Sequence, residues 1–153
     1  MTTLLRTDSS NSDFQTLVTQ LDSELKIRDG EEHSFYNQFN KIDSIKNVIV
    51  AFQVDKAVGC GAFKHYAEDT AEIKRMFVYS EYRGQGIAQT ILHELEKWAA
   101  ELNYSICILE TGKKQPEAIG LYEKSGYHRT PNYGQYEHVE NSVCMKKEIA
   151  DSK

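Results

Sequence analysis

Hydrophobic and polar positions along this chain follow two rhythms in turn. Phe14, Leu17, Val18, Leu21 and Leu25 fall at helical spacing, which lays one apolar stripe along a helix face. Asn11, Ser12 and Asp13 stand before the stripe as N-cap candidates, and Asp29-Gly30 behind it as a stop. Phe35, Phe39 and Ile42 suggest a second, shorter helical segment. β-rich runs at 48–54 and 57–65 flank Asp55-Lys56 and read as a hairpin. A further strand spans 72–78. Then Ile87, Ile91, Leu92, Leu95, Trp98, Ala99 and Leu102 mark one face of a long helix. Residues 105–110 read as a buried strand. Pro116 suits a first helical turn, where a missing N–H costs nothing, and Gly126 suits that helix's end. Runs at 3–6, 127–130 and 142–148 supply further strands, the last two around a loop at 131–134. The order β-α-α-β-β-β-α-β-α-β-β predicts an α/β (α+β) fold, one mixed sheet with helices on both faces.

Composition adds boundaries rather than detail. A chain of 153 residues fits one domain, expected to span 1–153. That length buries enough surface to fold without disulfides or a structural metal. No apolar run reaches the ~18 residues of a membrane span. The start MTTLLRTDSSNSD turns polar after two leucines, so a cytoplasmic location with no membrane partner is expected. With 18 Lys+Arg against 23 Asp+Glu, the net charge is −5, which argues against sequence-independent binding of nucleic acid. Cys60, Cys107 and Cys144 form no Cys-x-x-Cys pair and sit in apolar stretches, so they read as small core residues. His93-Glu94 does not continue to His-Glu-x-x-His, and no metal is expected.

The most informative segment is Met76-Phe77-Val78-Tyr79-Ser80-Glu81-Tyr82-Arg83-Gly84-Gln85-Gly86-Ile87-Ala88. A strand ends, a bend holds two glycines, and an amphipathic helix begins. The first N–H groups of a helix are unpaired, and the helix dipole places about +0.5 charge there. Glycine lets the backbone approach a ligand closely, and Arg83 adds a cation. Together these describe a phosphate cradle. The bland alternative is a turn that only joins strand to helix. Residue 89 is Gln, so the third glycine of a dinucleotide-binding Gly-x-Gly-x-x-Gly is missing, and no Gly-Lys-Ser/Thr follows.

Arg83-Gly84-Gln85-Gly86-Ile87-Ala88 resembles the Arg/Gln-x-x-Gly-x-Gly/Ala motif of the Gcn5-related N-acetyltransferase (GNAT) family. The preceding EIKRMFVYSEY is similar to that family's fourth strand, and LETGKKQPEAIGLYEKSGY to its later strand-helix-strand unit. The resemblance covers about residues 46–148. It implies a single mixed, mostly antiparallel twisted sheet of six to seven strands. It implies acetyl-CoA as co-substrate, its pyrophosphate on the backbone N–H groups of residues 84 to 88. The pantetheine arm would run along main-chain groups of Met76, Phe77 and Val78. The strand from Ser105 would splay away to open the cleft. Gln115, before the Pro of the last helix, is a weaker cofactor contact, and Lys113 and Lys114 read rather as a solvated turn.

The implied reaction is attack of an amine on the acetyl thioester within a ternary complex. An amine with a pKa near ~10.4 must first lose a proton. Glu72 stands where family members carry a glutamate base, against the alternative of an exposed or salt-bridged strand carboxylate. A backbone N–H of Met76 or Phe77 would stabilise the oxyanion. Tyr122, in Leu121-Tyr122-Glu123-Lys124, stands where the family places a tyrosine acid for the leaving thiolate, against the alternative of a packed aromatic. A phenol near ~10 protonating a thiol near ~8.5 runs uphill by about 2 kcal/mol in water. Acceptor selectivity in the family lies in the N-terminal helices and the loop before the last strand. Here these contain Glu31, in the acidic Asp29-Gly30-Glu31-Glu32-His33, and Tyr133 and Tyr136. The first suggests a cationic acceptor, an amine of a small molecule or peptide; the second suggests an acceptor entrance. A homodimer stays open, as does a non-catalytic acyl-CoA-binding module on the same fold.

Overall fold

The computed structural model describes residues 2–29 and 45–149. Its strands are β1 (Thr2–Thr7), β2 (Asn47–Gln53), β3 (Lys56–Ala67), β4 (Thr70–Val78), β5 (Ile106–Gly112), β6 (His128–Thr130) and β7 (Ser142–Glu148). Helices α1 (Ser12–Asp29), α2 (Ile87–Glu101) and α3 (Pro116–Lys124) join them among the described residues. The expected helical segment at Phe35, Phe39 and Ile42 lies outside the described residues, as does Glu31.

Seven strands form one sheet in the order β1-β2-β3-β4-β5-β7-β6. Every neighbouring pair is antiparallel except β4 and β5. Asn11 caps α1 as its sequence suggests, its Oδ1 accepting the Phe14 N–H at 2.9 Å. Phe14, Leu17 and Val18 bury that helix against Val48, Val50, Cys60, Ala62 and Phe77 on one sheet face. Ile87, Ile91, Leu92, Leu95 and Ala99 bury α2 against Ile49, Ala51, Val58 and Phe63 on the other. The strict alternation of Val48/Val50 with Ile49/Ala51 shows β2 covered on both faces. Each fully buried Phe, Leu, Ile or Val contributes roughly 1.5–3 kcal/mol.

All three cysteines are buried free thiols. Burial pushes Cys60 and Cys107 up to about 12 and Cys144 up to about 11, so each is a neutral core residue at pH 7. No described helix is long and apolar enough to cross a membrane.

Candidate active site

The parallel pairing of β4 with β5 covers three positions, Thr70↔Ile106, Ala71↔Cys107 and Glu72↔Ile108. Beyond Glu72 the strands part, so the later half of β4 keeps an edge that β5 does not pair. This is the splay expected from the sequence. On its other side β4 carries a bulge. Cys60 faces Phe77 and Ala62 faces Lys74, so Arg75 and Met76 together oppose Gly61. Arg75 takes the extra turn at φ 60°, a left-handed conformation rare for a side chain of this size. Cys60 Sγ donates to its carbonyl at 3.3 Å, and its Nη1 donates to Asp22 Oδ1 of α1 at 2.8 Å. A bulge re-aims the residues after it; here those are Met76, Phe77 and Val78.

Gly84 and Gly86 both sit at positive φ, 83° and 81°. An added Cβ at either would meet nothing within 4 Å, so the space above this loop belongs to solvent or to a ligand. Gly86 is the N-cap of α2, whose first-turn N–H groups lack helical acceptors. The loop therefore has the form of an anion cradle. Arg83 braces it: Nε donates to the Val78 carbonyl at 2.8 Å and Nη2 to Glu24 Oε1 at 2.9 Å. Its guanidinium also lies 5.6 Å from the Phe77 ring centre. The cation expected from the sequence is thus already partnered. The Gln85 side chain turns away, accepting from Gln53 Nε2 at 3.0 Å.

Two cavities adjoin this frame. A cleft of about 780 Å³ runs along Met76, Phe77 and Val78, past Arg83, Gly84 and Gly86, between Ile87-Ala88 of α2 on one side and Gln115 and, from α3, Tyr122 on the other. A smaller cavity of about 110 Å³ is lined by Glu72, Lys74, Arg75, Glu110 and Tyr136. Met76, Gln115, Ala118 and Tyr122 line both, as do Leu21 and Leu25 of α1. The long cleft suits an extended molecule with an anionic segment at the glycine loop. The small cavity suits a compact second molecule that meets it at the shared wall.

The small cavity is polar and closely bonded. Glu72 is 4% exposed, so of the alternatives weighed from the sequence the exposed carboxylate is excluded, while a salt-bridged one is present in its pairing with Lys74. Tyr133 Oη donates to Glu72 Oε2 at 2.8 Å. Lys74 Nζ stands 3.9 Å from the same oxygen and donates to Tyr136 Oη at 3.4 Å. Burial pushes the Lys74 ammonium below its ordinary value, while Glu72 pulls it back up. Ser142 Oγ donates to Glu110 Oε2 at 2.7 Å. Burial, then Glu110, raises the Tyr122 phenol well above its ordinary value. Burial raises Tyr133 and Tyr136 as well, with Glu72 and Glu110 adding to it. All three phenols hold their protons at neutral pH.

The sequence-derived residues thus gather around two joined cavities. Tyr133 and Tyr136 were expected at an entrance; Tyr136 is instead 1% exposed in the small cavity's wall, and Tyr133 holds Glu72. Lys113 and Lys114 are exposed, while Lys124 lines the cleft. Lys74, Arg75, Glu110 and Glu24 escaped the reading. Its one available signal was Lys74-Arg75, two cations inside an otherwise apolar strand.

Comparison with known proteins bears on the family and the fold. Residues 14–127 match the model of the Acetyltransferase (GNAT) family. An IAA acetyltransferase of Azospirillum brasilense is 35% identical over 102 residues, 66% of this chain and 67% of that one. A Klebsiella pneumoniae protein assigned to the acyl-CoA N-acyltransferases superposes with a TM-score of 0.82 at 25% identity, over 97% of this chain and 98% of that one. A PaiA N-acetyltransferase of Thermoplasma acidophilum, solved in complex with coenzyme A, shares the fold with a TM-score of 0.72 at 19% identity, over 97% and 99%.

Proposed function

The chain belongs to the acetyltransferase (GNAT) family and is an acyltransferase, and from that premise we propose that it moves an acetyl group from acetyl-CoA to a primary amine. The acceptor is a small molecule or a peptide, and the amine attacks directly in a ternary complex. The observation that carries this reading is the junction of the two cavities at Met76, Gln115 and Tyr122, which line both.

Acetyl-CoA supplies an activated thioester. The loop at Gly84 to Ala88 offers backbone N–H groups and open space to its pyrophosphate. The edge of β4 at Met76, Phe77 and Val78 offers main-chain partners to an extended arm. A backbone N–H of Met76 or Phe77 stabilises the oxyanion of the tetrahedral intermediate. Glu72, held by Tyr133, takes the proton of the acceptor amine, directly or through water. Tyr122 gives its proton to the leaving thiolate. Its raised pKa keeps that proton in place until a base as strong forms beside it, and a thiolate released against the same apolar wall gains proton affinity too. The three buried free thiols support action in the reducing cytoplasm.

Thiol release from acetyl-CoA, followed against a panel of small amines, amino acids, polyamines and peptides, tests the reading. Amine-dependent release is expected. Tight acetyl-CoA binding without release for any amine would instead favour a non-catalytic acyl-CoA-binding module.

A further inference from the structure

We propose that the small cavity is a subsite for the carboxylate of the acceptor, so that the preferred acceptor is a compact amine bearing a carboxylate, of the free amino acid type. This rests on the acetyl-transfer reading above and narrows its acceptor class.

Two cations line that cavity, Lys74 and Arg75, each 7% exposed. Arg75 donates from Nη1 to Asp22, yet its Nε is buried without a hydrogen-bond partner. A buried, unsatisfied guanidinium N–H costs free energy and calls for an occupant that accepts. Lys74 directs its ammonium to the same cavity beside Tyr136 Oη. An ammonium and a guanidinium together hold a carboxylate by charge-assisted hydrogen bonds. Among the described residues, the other charged groups of the wall, Glu72 and Glu110, carry the opposite sign. A wall with both signs complements a zwitterion: carboxylate on Lys74 and Arg75, amine toward the carboxylates and the shared junction. The volume of about 110 Å³ is enough for a compact group such as an amino acid backbone. The sequence suggested a cationic acceptor, a polyamine, an amino acid amine or a basic peptide, from the acidic segment around Glu31; the cationic pair on β4 favours the amino acid among these.

The test compares free amino acids with their amides and with the corresponding decarboxylated amines, by thiol release at saturating acetyl-CoA. Free acids should exceed their amides by at least about tenfold in kcat/KM, mostly through KM. Lys74→Met should reduce that preference to about twofold, read as the acid-to-amide ratio within the variant whatever its absolute rate, and Lys74→Arg should restore it. If Lys74→Met fails to fold, the acid-to-amide ratio of the unaltered protein decides alone. Equal or better reaction of amides and decarboxylated amines overturns the subsite and leaves acetyl transfer intact. An acid preference undiminished in folded Lys74→Met also overturns it. No release with any amine overturns the subsite and the acetyl-transfer reading together.

Discussion

The long cleft and the small cavity share a wall but are built by different means. The cleft takes its distinctive features from backbone: a bulged strand edge, two glycines at positive φ and the first turn of α2. The small cavity draws its polar side chains from β4, β5 and the turn at 134–136, beside residues of α1 and α3, with its charged groups held by tyrosines. Backbone features tolerate many side chains but few changes of conformation. Charged side chains in a buried wall tolerate little change of identity. Substitutions in the cleft should therefore act on cofactor binding, and those in the cavity on the acceptor and on turnover.

The largest effect is expected for Gly86→Glu. It sets a carboxylate into the open space over the loop and forces a side chain onto φ 81°. The strain costs about 1–2 kcal/mol, which leaves a folded protein. Acetyl-CoA affinity, read by calorimetry, should fall by about a hundredfold or more through clash and charge repulsion. Loss restricted to a few-fold would break the assignment of the cleft.

Next in size is Tyr122→Phe, which acts at the shared wall. Turnover should fall by about a hundredfold, the common scale for a lost general acid, with acetyl-CoA affinity unchanged. The direction of the Tyr122 shift adds a pH expectation. A phenol raised above its ordinary value stays protonated up to at least about pH 9. The unaltered enzyme should then show no falling basic limb from this group between about pH 7 and 9. A limb in that window that disappears in Tyr122→Phe would mean the phenol is lowered, not raised, in the working complex.

A smaller, structural effect separates the regions differently. At Gly59 of β3, an added Cβ would lie 2.9 Å from the Phe77 carbonyl oxygen and 3.2 Å from Ile91 Cδ1. Gly59→Ala must push β4 from behind, at a cost of about 1–3 kcal/mol of stability read by thermal unfolding. Acetyl-CoA binding should weaken with it, because the displaced segment is the cleft edge. An unchanged melting temperature would mean that β4 yields freely.

The smallest effect belongs to Glu24→Gln. Arg83 and Glu24 form a partly exposed pair at the cleft mouth, the kind worth little to stability. Releasing Arg83 toward an anionic cofactor should tighten acetyl-CoA by about two- to threefold. Weaker binding would show that Glu24 holds Arg83 in its working position.

The contrast also explains what the sequence disclosed. The glycine loop was legible because its requirements sit side by side: Arg83, Gly84 and Gly86 lie between a strand and an amphipathic helix. The splay of β4 from β5 was implied by the family resemblance that this stretch carries. The bulge at Arg75 was not legible, since a Lys-Arg pair in a strand gives no sign of which residue leaves the ladder. Nor was the pairing of Arg83 with Glu24, which joins positions 59 residues apart. Tyr133 and Tyr136 were identified by type but misplaced in depth, because their depth follows from contacts with residues far off in sequence, Tyr66, Glu72 and Lys74. The charge inside the small cavity depends on Glu72, Lys74 and Glu110 converging from two strands, a matter of register that residue order does not state.

The central claim is that acetyl-CoA lies along the unpaired edge of β4 and ends its phosphates on the glycine loop. Amide hydrogen exchange with and without acetyl-CoA tests it most directly. The account predicts slowed exchange at residues 76–78 and 84–88 together, lost in Gly86→Glu. Exchange unchanged in both segments, or protection confined to another surface, would contradict it.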